Sequence, residues 1–335
     1  MTKAAVSQPR AALTSPVTAA ARVFVADHIA AAAAVGERLI PLLGRPDDFA
    51  AELEVGFRAL ADPAYIEGSG RIAPGLGEII GVRLPLMEAA HKAFKRGTRH
   101  SPSSPLLDVV DRLIGNRYGD IRWFGMWNLE RLLPTDPERT WQLMRRATRE
   151  AGEWITVDTL AHPYAAGILR DQRRWAELEQ LVYSPSRWER RLVGSTLATM
   201  PHVNVPGGKD QLLMVRDGLS LISQLIGDSE PDVQKALSWA LRTYAQLNPP
   251  EVTVFLETEA QAARRDQDGN RAWVIRDSLP KLPDDTAAYL RASLAGIRRA
   301  PGAPSTSRAA TAAAEFASNA AQSSPPQASG RNSAQ

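Results

Sequence analysis

Apolar residues recur at spacings of three and four from Val23 to about Ile297, and no convincing run of alternating β-branched residues interrupts them. This pattern predicts an all-α-helical chain. Proline and glycine clusters cut it into short helices, at "RPDD" near Arg45, "GSGRIAPGLG" near Gly68, "RHSPSSP" near Arg99, "LLPTDPE" near Leu132, "SPSRW" near Ser184, "HVNVPGGKD" near His202, "GDSEPD" near Gly227 and "NPPE" near Asn248. Ser184-Pro185, Thr135-Asp136-Pro137 and Glu230-Pro231 read as helix starts, because proline loses nothing at the first helical position. Helix-opening segments "GDIRWFGMWNLERLL", "GEWITVDTLAHPYAAGIL", "PSRWERRLVGSTLATM" and "EPDVQKALSWALRTYAQ" recur every ~33 to 44 residues, the period of HEAT-type helix pairs. The expected architecture is a curved solenoid of antiparallel HEAT-like helix pairs with a concave basic groove.

At 100° per residue, each helix divides into a packed and an outward side. In "VQKALSWALRTYA", Val233, Ala236, Leu237, Ala240, Leu241 and Tyr244 form an apolar stripe, and Lys235, Trp239 and Arg242 share the far side. That side can pack on a neighbouring repeat or face solvent, and periodicity leaves both open. In "GEWITVDTLAHPY", Val157, Leu160, Tyr164 and Ile168 form the stripe, while Trp154, Asp158, Ala161 and Ala165 lie roughly a quarter-turn away. In "SPSRWERRLVGSTLATM", Leu192, Val193, Thr196 and Met200 point one way and Arg187, Arg191, Gly194 and Ala198 the other. Three successive segments thus put Trp, Asp, Lys or Arg off the apolar stripe. Together they describe an aromatic and acidic notch in a locally basic groove, a surface suited to a nucleic-acid backbone.

Composition narrows the chemistry. With 335 residues, 44% of them hydrophobic, the chain can bury a substantial core. Cysteine is absent, which removes disulfides, Cys-ligated zinc and thiol nucleophiles. A net charge of +3 neither demands nor excludes nucleic acid. No uninterrupted apolar run approaches the ~18 residues that span a bilayer, so no membrane association and a cytoplasmic, nucleoid-associated location are expected. Residues 1–16 and 299–335 read as disordered low-complexity tails around one repeat domain over 17–298.

Other motifs fall away. "GSGRIAPGLGEIIG" lacks G-x-G-x-x-G spacing and a preceding strand, so it reads as a loop. His28, His91, His100, His162 and His202 share no metal-ligand spacing, and neither metal nor cofactor is expected. "HKAFKRGTRH", the densest basic run, is either a phosphate contact or a solvated turn. His162-Pro163 should remove a backbone hydrogen bond and kink the helix just past Asp158.

Four segments carry a family resemblance: "EWITVDTLA" (Glu153 to Ala161), "RWERRLVGSTL" (Arg187 to Leu197), "VQKALSWALRTYAQLNPPEV" (Val233 to Val252) and, more weakly, "GVRLPLMEAAHKA" (Gly81 to Ala93). In order and spacing over about 81 to 282 the chain resembles the bacterial DNA alkylation repair glycosylases built from HEAT-like repeats. The resemblance implies a monofunctional glycosylase that releases cationic N3- and N7-alkylated purines from duplex DNA without drawing the base into a pocket. It further implies Asp158 as catalytic carboxylate, Trp154 and Trp239 as aromatic site residues, and Arg191 as a backbone-binding arginine. Arg187, Trp188, Lys235 and Arg242 complete the expected DNA-binding set, and a monomer is expected. The rival readings are a HEAT-like DNA- or protein-binding scaffold without activity, and a glycosylase specialised for bulky adducts.

Overall fold

The computed structural model describes residues 16–73, 75–206 and 210–323. It is all-α. The helices in chain order are α1 (Pro16–Leu39), α2 (Pro46–Ala59), α3 (Pro63–Ile72), α4 (Leu84–Gly97), α5 (Ser103–Ile114), α6 (Gly119–Met126), α7 (Leu129–Leu132), α8 (Pro137–Arg149) and α9 (Trp154–Arg170). They continue with α10 (Trp175–Leu181), α11 (Arg187–Thr199), α12 (Gln211–Leu225), α13 (Pro231–Leu247), α14 (Pro249–Asp266), α15 (Gly269–Ser278), α16 (Asp284–Ser293) and α17 (Arg308–Ser323). The described residues contain no strand, and one isolated bridge pairs Ala61 with Val82.

The expected helix starts occur where capping chemistry allows them. α8 opens on Pro137 with the Asp136 carboxylate accepting from the Arg139 amide at 3.3 Å, and α13 opens on Pro231. Ser184-Pro185 stands just ahead of α11, its hydroxyl accepting from the Ser186 amide at 3.0 Å. α9 begins on a buried glutamate. The Glu153 carboxylate accepts from the Ile155 and Thr156 amides at 2.5 and 2.9 Å, satisfying two of the orphan donors of the first turn.

The sequence suggests one repeat domain over 17–298; by their contacts the described residues fall into two compact units, one within 16–72 and 77–125, the other within 73–76 and 126–323. Each has its own core. In the first, Phe49, Phe94 and Phe124 meet edge-on or tilted, with centroids 5.2 to 6.5 Å apart. The basic run "HKAFKRGTRH" forms the end of α4 and its following turn, with His91 edge-on to Phe124 at 5.4 Å. The glycine-rich segment is a helix end and a loop: α3 takes its first half, and the buried Asp120 side chain accepts from the Ile80 and Val82 amides at 2.7 and 3.0 Å. Burial pushes the Asp120 carboxyl above its ordinary value, and these amides oppose the shift.

α1 departs from the sequence reading. The span Val17–Leu42 is long and apolar enough by length and composition to cross a bilayer. Arg22, Asp27 and Glu37 interrupt any apolar run without lowering the mean hydropathy far enough, which is why the run criterion passes over it. Its Ala32, Val35 and Leu39 are buried, and the helix packs along α4.

In the second unit, α9, α11, α13 and α15 pack in succession, each on the next. α8 covers α9, α12 covers α13, and α14 lies against both α13 and α15. The stripes read from the sequence are buried: Val157, Leu160, Tyr164 and Ile168 on α9, Leu192, Val193, Thr196 and Met200 around α11, and Val233, Ala236, Leu237, Ala240, Leu241 and Tyr244 on α13. Four small residues assigned to outward sides are not there. Ala161, Ala165, Gly194 and Ala198 are buried, because a helix flanked on two sides has two packed faces. At Gly194, a Cβ would lie 2.8 Å from the Ala236 carbonyl carbon, so α11 and α13 cross in near backbone contact.

The low-complexity stretch from residue 299 is ordered as far as Ser323, contrary to the expected tail. The Thr306 amide donates to the Gly227 carbonyl at 2.9 Å, and Asn270 Nδ2 donates to the Pro304 carbonyl at 3.0 Å. A Cβ at Gly227 or Gly269 would collide with this passing backbone. Low apolar content misleads here because hydrogen bonds and close passage over glycines hold the segment together with the packing of α17 on α12. Residues 324–335, and residues 1–15 of the expected N-terminal tail, lie outside the described residues.

The crossing at Gly194 yields a stability test. Gly194→Ala is expected to destabilise the protein by about 1–3 kcal/mol, read from urea unfolding, because neither backbone can retreat from the added methyl.

Candidate active site

The second unit brings three of the expected residues into direct contact. On α9, Glu153 caps the helix, so Trp154 occupies its first turn and Asp158 the next. On α11, Arg191 faces them. Arg191 Nε donates to Asp158 Oδ1 at 3.1 Å and Nη2 donates to Oδ2 at 2.7 Å, a forked, bidentate ion pair. Its third nitrogen, Nη1, donates to the Asp232 carbonyl in the first turn of α13 at 2.7 Å. Ser195, one turn beyond Arg191, donates its hydroxyl to Asp158 Oδ1 at 2.6 Å. The guanidinium carbon also lies 5.9 Å from the centre of the Trp154 ring, at the outer reach of a cation–π contact.

Arg191 is also largely enclosed. The residue is 5% exposed and each of its three nitrogens donates within the protein, so little of the guanidinium is open to solvent. The sequence places it on an outward face because periodicity sees only the stripe of its own helix, not α9 and α13 on either side.

The same bonds leave Asp158 partly open. Its side chain is 21% exposed. A carboxylate has about four acceptor positions, and Arg191 with Ser195 fills two on Oδ1 and one on Oδ2. Among the described residues nothing fills the second acceptor position on Oδ2, which is open to a water or a ligand. The carboxylate is also immobilised, since two helices fix its orientation before any ligand arrives.

The other candidates separate into available and unavailable groups. Trp188 is 9% exposed, with the Arg187 guanidinium 4.6 Å above its ring, so that indole is core rather than a DNA-binding surface. Arg187 is exposed and lies 3.5 Å from Glu230. On α13, Lys235 is exposed and forms no ion pair among the described residues, and Trp239 is half-buried on the same stripe. Arg242 ends that stripe, with Nη1 held by Asp277 at 2.6 Å. His162, one turn beyond Asp158, faces α7, where its Nδ1 lies 3.1 Å from Glu130. α9 runs on through Pro163 as one helix to Arg170.

Sequence reasoning missed Ser195, Glu153 and the Asp232 carbonyl. Ser195 was recoverable, since it follows Arg191 at the four-residue spacing that puts two side chains on one carboxylate. The Asp232 carbonyl carries no sequence signal.

An all-α unit with a preoriented carboxylate beside an indole, and outward cations on the next helix, fits a protein that handles a cationic group on a polyanion. Comparison with known families agrees: the family model described as DNA alkylation repair enzyme matches residues 53–282. The chain belongs to this family of DNA alkylation repair enzymes, and the match starts ahead of the 81–282 stretch recognised in the sequence. A search of curated proteins found no match.

Breaking the central pair should be costly. Arg191→Ala is expected to lower unfolding stability by about 3 kcal/mol in urea titration, because it strands the Asp158 carboxylate and the Asp232 carbonyl in a largely buried place.

Proposed function

We propose that the protein is a monofunctional DNA glycosylase that hydrolyses the N-glycosidic bond of cationic N3- and N7-alkylated purines in duplex DNA. The observation that carries this reading is the fixed Asp158 carboxylate with one unfilled acceptor position, set beside Trp154. Membership of the DNA alkylation repair enzyme family supports it.

The chemistry follows from charge. A purine alkylated at N3 or N7 is already cationic, so it leaves as a neutral base without protonation by a general acid. As the bond to C1′ breaks, positive charge grows on the sugar, and water attacks C1′ from the opposite face while losing its proton to solvent. Asp158 Oδ2 supplies negative charge to that sugar and an acceptor for the water. Because Arg191 and Ser195 hold the carboxylate in place, little reorganisation accompanies the growth of charge. Trp154 and Trp239 offer π-faces to the cationic sugar, each contact worth ~0.5–2 kcal/mol. Lys235, Arg187 and Arg242 serve as phosphate contacts, and Arg191 acts through Asp158 instead. Successive packing of α9, α11, α13 and α15 is the arrangement a HEAT-like solenoid would use to present these groups along one groove. A monomer in the cytoplasm, close to the nucleoid, accords with this role.

Duplex DNA bearing N7-methylguanine provides the test. Wild-type protein is expected to release free base and leave abasic sites well above the spontaneous rate. Asp158→Asn should slow release at saturating protein by about 100- to 1000-fold, equivalent to ~3–4 kcal/mol of transition-state stabilisation. No release by wild type would reduce the protein to a DNA- or protein-binding scaffold for this lesion. For the phosphate contacts, Lys235→Ala should weaken duplex binding and flatten its log–log salt dependence by about one unit. An unchanged slope would move the DNA off α13.

A further inference from the structure

The sequence W-x-x-x-D occurs twice in the second unit, as Trp154 to Asp158 on α9 and as Trp273 to Asp277 on α15. The structure builds the two in parallel. Asp158 is held by an arginine and a serine four residues apart on α11, Arg191 and Ser195. Asp277 is held by a serine and an arginine four residues apart on α13: Ser238 Oγ donates to Asp277 Oδ2 at 2.5 Å and Arg242 Nη1 donates to it at 2.6 Å. Each indole also carries a guanidinium at 5.9 Å, Arg191 over Trp154 and Arg299 over Trp273. Arg299 is itself fixed, donating from Nη1 to Gln234 Oε1 of α13 at 2.8 Å.

One difference between the two notches decides what the second can do. Arg191 has every nitrogen engaged and is 5% exposed. Arg242 spends only Nη1, on Asp277 Oδ2, the Asp277 carbonyl at 2.8 Å and Ser238 Oγ at 3.2 Å. Its side chain is 29% exposed, and its Nε and Nη2 make no hydrogen bond among the described residues. Asp277 is 42% exposed. In both notches the carboxylate is the more exposed partner, but only in the second does the arginine keep two nitrogens without a hydrogen bond among the described residues. Arg242 pairs directly with Asp277, and Arg299 lies over the Trp273 ring one turn earlier on α15.

We propose that Asp277, with Ser238, anchors Arg242 as a phosphodiester-binding site on α13, its Nε and Nη2 receiving a DNA phosphate away from the lesion. The inference rests on the reading of duplex DNA as the partner. Asp277 acts as a positioning residue and touches no reacting atom. A guanidinium held at one nitrogen loses little further side-chain entropy when the other two engage a planar pair of phosphate oxygens, which is what an arginine fork supplies and a lysine does not.

Duplex binding by fluorescence anisotropy across a salt series tests this, on Asp277→Asn, Arg242→Gln and the double variant. Both singles should raise Kd about tenfold, the fold-change for losing one charge-assisted contact. Arg242→Gln should flatten the log–log salt slope by about one unit. The double variant should bind no worse than Arg242→Gln alone, since both remove the same contact. Circular dichroism melts on each variant establish that the fold is kept, and a change confined to the melts would overturn the proposal in favour of a purely structural pair. Tighter binding by Asp277→Asn would also overturn it, by making the carboxylate a repulsive neighbour of the DNA. Additive losses in the double variant would overturn it too. Absence of duplex binding by the wild-type protein would overturn both this site and the DNA reading beneath it, whereas the other contrary outcomes leave the glycosylase reading standing.

Discussion

The second unit turns on the ion pair between Asp158 and Arg191, because one guanidinium there joins three helices. Its two carboxylate bonds reach α9, its third nitrogen reaches the backbone of α13, and its stem leaves α11. Removing a charged pair from water costs several kcal/mol per ion, which only good geometry and full hydrogen bonding recover. The fork supplies that geometry, and Ser195 fills a further acceptor position. The close crossing at Gly194 is what lets Arg191 reach the α13 backbone at all. Packing and site chemistry are therefore the same constraint seen from two sides.

That constraint also distributes roles among the cations. A buried arginine whose three nitrogens all donate within the protein orients a carboxylate and exposes little of itself to a ligand. More exposed cations lie at Arg187, one turn earlier on α11, and at Lys235 and Arg242 on α13. In the function proposed above, control of the carboxylate and contact with phosphate therefore fall to different side chains.

Much of this was legible in the sequence. The three- and four-residue spacing gave an all-α chain, the proline and aspartate punctuation located the starts of α8 and α13, and the stripes of α9, α11 and α13 are buried as read. Trp154, Asp158 and Arg191 were singled out and do meet. The failures share a cause. Helical periodicity describes one helix at a time, so it put Ala161, Gly194 and Arg191 on open faces that neighbouring helices cover. Composition likewise measures apolar content and not hydrogen bonding, so it could not see residues 299–323 held over Gly227 and Gly269. The second W-x-x-x-D was readable but stood outside the segments compared, and only its pairing with Ser238 and Arg242 gives it meaning.

The central claim is that Arg191 works by holding Asp158 and not by holding DNA. Single-turnover release of N7-methylguanine by Arg191→Gln, alongside its duplex Kd across a salt series, separates the two directly. The account predicts a rate at saturating protein reduced by about 100-fold or more, as for loss of the carboxylate itself, with the salt slope of binding unchanged. A preserved rate with a slope flattened by about one unit would show that Arg191 grips a phosphate, and would contradict the account.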